Sequence, residues 1–252
     1  MQICRYIVQK QTPAWGFIQG NVVHAMMGDL FQEPEIGAPV ASLEEVRLLA
    51  PYRPCKVVAV GRNHVAHAVE HDAEVPSEPL LFLKPTSAII GPGASIRLPS
   101  QSNRVDHEAE LAVVIGQGGW QISREDALDH VLGYCCANDV TARDLQRADG
   151  QWTRAKGFDT FCPLGPWIET DLDPGNLEVT ACVNGELRQR GNTSQMVFSV
   201  ATLISYISDI MTLEPGDVIL TGTPTGVSPI HAGDLVEVEV EGIGILRNQV
   251  VE

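Results

Sequence analysis

Apolar residues in this chain recur in short blocks, most of them too brief for helices. Over the first 50 or so residues, ICRYIVQ, AWGFIQ and NVVHAM alternate apolar and polar positions and are separated by the turn-prone QTP and GN. That is the pattern of half-buried strands in a small β module. SLEEVRLLAP then offers Ser42 as a helix cap, a short helical turn and a proline stop, which separates residues 1–52 from residues 53–252. Beyond it, KVVAVG reads as a buried strand, followed by LLFLKP, SAIIGPG, EAELAVVIG, YCCANDV, LEVTACVNGELRQ, DVILTG and DLVEVEVEGIGILRNQ. The Asn-Gly of VNGE signals a type I′ hairpin, and VEVEVEG alternates as a half-exposed strand should. Helical patterns are fewer. SREDALDHVLG has Ser123 as cap, Asp126 three residues on and Gly133 as stop, and SVATLISYISDI carries apolar residues at helical spacing. Many strands and few helices, with 23 Gly and 16 Pro, predict a β-rich α+β fold, a sandwich or roll with short peripheral helices.

Composition narrows the picture. A chain of 252 residues with 44% hydrophobic content can bury one large core, or a main core with a small appended module. Its longest apolar runs, LAVVIG and VVAVG, fall well short of the roughly 20 residues that span a bilayer. MQICRYIVQK lacks an apolar signal region with a small-residue cleavage site, so the expectation is a cytoplasmic protein with no membrane partner. Six cysteines show no CxxC spacing and are expected to be small buried thiols. The net charge of −15 repels phosphate backbones, which argues against nucleic acid as a partner. An anionic substrate would need a site that concentrates the few Arg and Lys residues.

One such site is suggested by DHEAELAVVIG, Asp106 to Gly116. On a strand, Glu108 and Glu110 share a face while Ala109, Leu111 and Val113 point the other way. Two carboxylates so placed repel unless a cation or shared protons compensate, and a hard divalent ion is the simplest compensation. Asp139, in CCANDVTARD, follows another apolar strand and could supply a third oxygen to Mg2+ or Mn2+. Taken alone, an E-x-E also fits a solvated strand face. Asp106 shares the parity but stands beside Arg104, where an exposed role is expected, and His107 faces away as a hydrogen-bonded core or rim histidine. In GRNHVAHAVEHD, a helical turn would make His67 and Glu70 i, i+3 neighbours, either a base with its orienting carboxylate or a surface pair. His64 and His71 flank them. Positive charge stands in apolar or turn context at Arg62, Lys84, Arg143 and Lys156. ILTGTPTGV is a strand followed by a loop whose N–H groups and threonine hydroxyls could hold a carboxylate; it lacks the GxxxxGK[ST] pattern of a nucleotide loop.

Taken together, VGRNHVAHAVEH, SEPLLFLKP, DHEAELAVVIG, NDVTARDLQ, WTRAKGFDTFCPLGP, VNGELRQRGNTSQMVFS and LEPGDVILTGTPTGV resemble, in order, the fumarylacetoacetate hydrolase family in its short branch. The resemblance covers nearly all of residues 55 to 250. It implies a mixed β-sandwich roll with short peripheral helices, a small N-terminal β domain at 1–52, a catalytic domain at 53–252 and a homodimer. It makes Glu108, Glu110 and Asp139 the Mg2+ or Mn2+ ligands, Lys156 a catalytic or substrate-orienting lysine, and His67 with Glu70 a lid dyad. Arg62, Lys84, Arg143, Gln146 and Thr223 fall where related enzymes surround the substrate. The lid motif departs from its usual GRNY-x-x-H at His64 and Ala66.

The function implied is divalent-metal chemistry on short 2-oxo dicarbonyl acids, through an enolate. Acylpyruvate hydrolysis or decarboxylation of oxaloacetate-like acids is the first expectation. Isomerisation of a 2-hydroxyhepta-2,4-diene-1,7-dioate type of substrate from aromatic breakdown is the alternative. A non-catalytic protein that binds a metal and a small acid is the reading of another class; His67, Glu70 and Lys156 together argue against it, because a binder needs no general base.

Overall fold

The computed structural model describes residues 1–9, 12–65 and 76–252. Strands dominate, as the short apolar blocks predict. Ten of them run across one sheet in the order Glu35–Ser42, Val22–Met27, Ala14–Gln19, Gln2–Val8, Cys162–Glu169, Val131–Asn138, Ala109–Ile115, Val218–Leu220, Val57–Gly61 and Leu80–Lys84. A second sheet runs Glu186–Asn192, Glu178–Val183, Leu235–Val240, Gly244–Val251 and Ile96–Arg97. The sheets are mixed: Val218–Leu220 lies parallel to Val57–Gly61, whereas most other neighbours are antiparallel. No helix among the described residues is long and apolar enough to cross a membrane.

The central strands are apolar on both sides because both faces of the large sheet are covered. Leu111, Val113 and Ile115 join Val58 and Val60 on one face, packed against Leu203, Ile204 and Ile207 of the helix Val200–Ile210 and against Val179, Ala181, Val238 and Val240 of the second sheet. Ala112 and Val114 face the other way, into a cluster with Val57, Ala59, Leu164, Ile168, Ile3 and Phe17. Such doubly buried strands read as continuous apolar runs, and this is why LAVVIG lacks alternation. Glu110 and Glu108 have the parity of Ala112 and Val114.

The N-terminal strands extend the large sheet directly, with Gln2 opposite Glu169 and Ile3 opposite Ile168. The Met1 ammonium lies 2.5 Å from the Glu169 carboxylate. Asn184 and Gly185 both take positive φ in the predicted two-residue hairpin turn. The helix Val200–Ile210 forms where the apolar spacing predicts one, and Ser199 caps it.

Two helical expectations fail, for one reason. Ser42 and Glu45 make a capping contact, with the Ser42 N–H and hydroxyl both donating to Glu45 Oε2, yet only a turn follows. Val46–Leu48 is instead a strand paired to Gln2–Val8. Ser123 likewise donates to Asp126, but the chain makes only the 3-10 turn Ala127–His130 before entering the strand Val131–Asn138. Gly133 is no helix stop. It lies inside that strand, where a Cβ would meet the Glu169 carbonyl oxygen at 2.5 Å.

The cysteines divide. Cys4, Cys135, Cys136 and Cys162 are buried, as expected, whereas Cys55 is exposed and Cys182 is half-buried. Both exceptions are placed by geometry: Cys55 lies in the link before the strand Val57–Gly61, and Cys182 sits on Glu178–Val183, whose alternate residues face outward.

Candidate active site

The carboxylates owe their meeting to strand register. Ala109–Ile115 runs antiparallel to Val131–Asn138 with Ala109 opposite Asn138, so the residues just beyond the pair, Glu108 and Asp139, emerge side by side. The Asp139 N–H donates to the Glu108 carbonyl at 2.9 Å, and the Glu108 N–H donates to Asn138 Oδ1 at 2.9 Å. Glu108, Glu110 and Asp139 each offer a carboxylate oxygen within 4.8 Å of the others, and all three residues are buried.

Cations converge on this cluster. Lys156 Nζ donates to Glu108 Oε2 at 2.9 Å and to Asp139 Oδ2 at 2.5 Å. Lys84 Nζ donates to Asp139 Oδ1 at 2.5 Å and to the Lys156 carbonyl at 2.6 Å. Arg143 spans Glu108 Oε1 at 2.6 Å and Asp106 Oδ2 at 2.9 Å. Burial alone would discharge Lys156, but the Asp139 and Glu108 carboxylates outweigh it and hold the lysine above its ordinary value. Arg143 is likewise pushed down by burial and raised on balance by Glu108 and Asp106. Glu110 goes the other way: burial first, then repulsion from Asp139 and Glu108, drives its carboxyl well above the ordinary range. The Gly222 N–H, donating to Glu110 Oε2 at 2.7 Å, offsets only part of that.

These residues fit a hard divalent cation. Three buried oxygen donors of one sign, with Glu110 held unfavourably, form the donor set that Mg2+ or Mn2+ takes, and none of the three is a soft ligand.

The cluster forms the floor of a cavity of about 700 Å³. Arg62, Arg143, Gln146, Lys156 and Thr223 line it with the three carboxylates, while Leu80, Leu81, Phe82 and Trp152 supply apolar wall. Lys84 stands apart from its expected companions. It is 2% exposed, lies behind Asp139 rather than in the lining, and braces that carboxylate against the helix Thr153–Lys156. His67 and Glu70, with His71 and Ala66, lie outside the described residues. His64 is buried, with its backbone bridged to Met196.

Several neighbours differ from expectation or escaped it. Asp106 is fully buried rather than exposed, because Arg104 and Arg143 both pair with it. His107 is the expected core histidine, 3.0 Å from Gln189 Oε1 and 2.9 Å from Ser228 Oγ, its imidazole pushed down by burial. The TGTPT loop does hold a carboxylate, but that of Glu110; the Thr221 and Thr223 hydroxyls donate to the Leu111 and Ala109 carbonyls. Asn63 fastens the end of Val57–Gly61 through bonds to Thr221 and Phe198, and its place in GRN was the available signal. Trp152, packed edge-on to Phe82 at 5.2 Å, also approaches Gly61, where a Cβ would clash at 2.6 Å. Nothing in the spacing of Trp152 marks it as a wall.

Comparison with known proteins agrees with this architecture. Residues 56–251 match the fumarylacetoacetate hydrolase C-terminal family model, and residues 1–51 match an N-terminal model described as Rv2993c-like. The chain is 50% identical over 226 residues to a Homo sapiens protein named oxaloacetate tautomerase FAHD2A, mitochondrial, covering 84% of this chain and 72% of the relative. Among solved structures, the 5-carboxymethyl-2-hydroxymuconate delta-isomerase from Mycobacterium smegmatis superposes with a TM-score of 0.93 at 47% identity, covering 100% of this chain and 99% of that one. The 2-hydroxyhepta-2,4-diene-1,7-dioate isomerase from Mycobacterium marinum gives 0.93 at 45% identity, covering 100% and 98%. With four-fifths of its length matched and its carboxylate cluster on the matched strands, the chain belongs to the fumarylacetoacetate hydrolase family of enzymes.

Proposed function

We propose that the protein is a divalent-metal-dependent enzyme that moves a proton beside the carbonyl of short 2-oxo dicarboxylic acids, as a keto–enol tautomerase or double-bond isomerase. One observation carries this reading: Glu108, Glu110 and Asp139 cluster on the floor of a cavity, with Lys156 bonded to two of them. Mg2+ or Mn2+ held by those carboxylates supplies Lewis acidity toward the 2-oxo acid head. Lys156 keeps an ammonium at the same floor, where negative charge developing on a substrate oxygen is stabilised in a preorganised setting, an effect of about 3 kcal/mol for groups of this type. Leu80, Leu81, Phe82 and Trp152 hold the carbon body and keep water from part of the cavity.

Proton transfer is favoured over hydrolysis because the human relative, at 50% identity, is named a tautomerase and two structures at 47% and 45% identity are named isomerases, whereas structures named fumarylacetoacetate hydrolase and maleylpyruvate hydrolase are less similar, at 38% and 30%. Tautomerisation and isomerisation need no attacking water. His67, oriented by Glu70, is the base in this reading, and a homodimer, resting on the family resemblance, is checked by light scattering.

The test is an absorbance panel of oxaloacetate, acetylpyruvate and a hydroxy-diene-dioate, run with chelator and again after Mg2+ or Mn2+ is restored. Metal-dependent loss of the enol band of oxaloacetate, without release of CO2, is expected. Faster hydrolysis of acetylpyruvate than tautomerisation of oxaloacetate would replace this reading with the hydrolase one, and full activity in chelator would remove the metal from it.

A further inference from the structure

The cations of the cavity are not equivalent. Lys84, Lys156 and Arg143 are committed to the protein's own carboxylates, and the second guanidinium arm of Arg143 donates to Gln146 Oε1 at 2.8 Å. Lys156 keeps one N–H for a substrate oxygen at the floor, but a substrate carboxylate that sought an ion pair with any of the three would compete with Glu108, Asp139 and Asp106. Two other cations line the same cavity, Arg62 and Arg147, and both are exposed. Neither makes an ion pair among the described residues.

Arg147 stands four residues after Arg143 on the helix Arg143–Asp149, and so shares the face from which Arg143 reaches Glu108. The acids near it in sequence are occupied. Asp144 accepts from the Ser102 hydroxyl at 2.6 Å, the Asn103 N–H at 2.8 Å and the Leu145 N–H at 2.9 Å. Asp149 accepts from Nε and from one Nη of Arg154, at 2.8 and 2.5 Å. A guanidinium left without an acid on a helix that carries two, in a protein of charge −15, is a vacancy for an external anion. The cavity, at about 700 Å³, is large enough for a substrate that extends from the carboxylate floor to this rim.

We propose that Arg147 is a specificity-determining residue that receives the second carboxylate of the substrate, so that the site selects extended dicarboxylates over 2-oxo monocarboxylates of equal length. This rests on the 2-oxo acid reading above and adds to it the far end of the substrate. The head is held at the floor, the carbon body passes Leu80, Phe82 and Trp152, and the distal carboxylate meets the guanidinium fork.

The experiment uses the 252-residue chain loaded with Mg2+ and a matched pair of probes, 2-oxoglutarate and 2-oxopentanoate, which differ only in a terminal carboxylate in place of a methyl. Direct calorimetric binding is measured for wild type, Arg147→Gln and Arg147→Lys, alongside KM and kcat on oxaloacetate. Wild type is expected to bind 2-oxoglutarate roughly 10- to 100-fold more tightly than 2-oxopentanoate, the usual range for a charge-assisted pair. Arg147→Gln collapses that ratio toward one and raises KM on oxaloacetate more than it lowers kcat, while Arg147→Lys keeps part of the ratio. Because Arg147 is exposed, circular dichroism should show both variants folded. An unchanged ratio in Arg147→Gln, equal affinities in the wild type, or no binding of either probe each overturns the inference. Discrimination in binding without turnover of any 2-oxo acid retires the proposed reaction and leaves the role of Arg147 standing.

Discussion

Lys84 and Lys156 grip opposite oxygens of Asp139, yet only Lys156 reaches the cavity. Both follow polar or apolar contexts in the sequence that mark them simply as cations, so their difference in role is invisible there. Lys84 is accordingly a positioning residue. Lys84→Met removes one partner of a buried pair, and urea unfolding should show a loss of about 3–5 kcal/mol; a change within experimental error would mean that Asp139 does not depend on it. Glu110 gives the opposite expectation. In chelated protein its folded carboxyl keeps a proton at pH values where the unfolded one has lost it, so stability falls as pH rises from the ordinary carboxylate range toward the raised folded value. Glu110→Gln escapes that fall while retaining an acceptor for the Gly222 N–H. Thermal melts of chelated samples should therefore show the variant gaining on wild type as pH rises above the ordinary carboxylate range, and adding Mg2+ should raise the melting point of wild type more than that of the variant. The thiols offer a further check. Alkylation should modify Cys55 in the native protein, at a rate still climbing where an ordinary thiol levels off, because Glu214 pushes Cys55 up. Label on Cys4, Cys135, Cys136 or Cys162 before unfolding would contradict their burial.

At the level of elements, three serines stand in similar capping contexts and only one opens an α-helix. Ser199 precedes the helix Val200–Ile210, whereas Ser42 and Ser123 make their local bonds and the chain then joins a sheet. Capping is worth about 1 kcal/mol, less than the combined pairing and burial of a strand. The local capping bonds form and are outweighed. Gly133 tests the same competition from the sheet side. Its neighbours across the strand, Glu169 and Ile168, come so close that Gly133→Ala must displace them, and a loss of about 1–3 kcal/mol is expected in chemical denaturation. A neutral alanine there would show that Val131–Asn138 has room to shift. The carboxylate strand was more legible, because Glu108 and Glu110 against Leu111 and Val113 need only the period of two. Asp106 was less so: its parity was plain, but the arrival of Arg143 from 37 residues away decided that it would be buried.

Over the whole molecule, the strands of residues 1–52 share a sheet and a core with the rest. Ile3, Phe17 and Leu30 pack in one cluster with Val57, Ala59, Leu164 and Ile168. Cooperative units follow shared cores, so, in a background with Trp120, Trp152 and Trp167 replaced by Phe, fluorescence at Trp15 and far-ultraviolet circular dichroism should report one coincident unfolding transition. Ile3→Ala, at a residue 2% exposed, should shift both probes together, at a cost of about 2–5 kcal/mol. An early Trp15 transition would instead show that the first 52 residues unfold on their own. The same scale sets the electrostatics. A net charge of −15 surrounds a cavity whose lining includes Arg62, Arg143, Arg147 and Lys156, so the few cations are concentrated where an anion would enter.

By itself, the sequence determined the strand-rich class, the shared face of Glu108 and Glu110, the Asn184-Gly185 hairpin and the helix after Ser199, because each depends on residues a few positions apart. Its ordered motifs also determined the family. Only the tertiary structure decided which cations are committed and which are available, that Lys84 supports Asp139 from behind, that Asp106 is buried, and that the loop after Leu220 grips Glu110. Those outcomes depend on side chains that are 17 to 112 residues apart in the chain and meet only when the strands take their register, and no local period carries that distance.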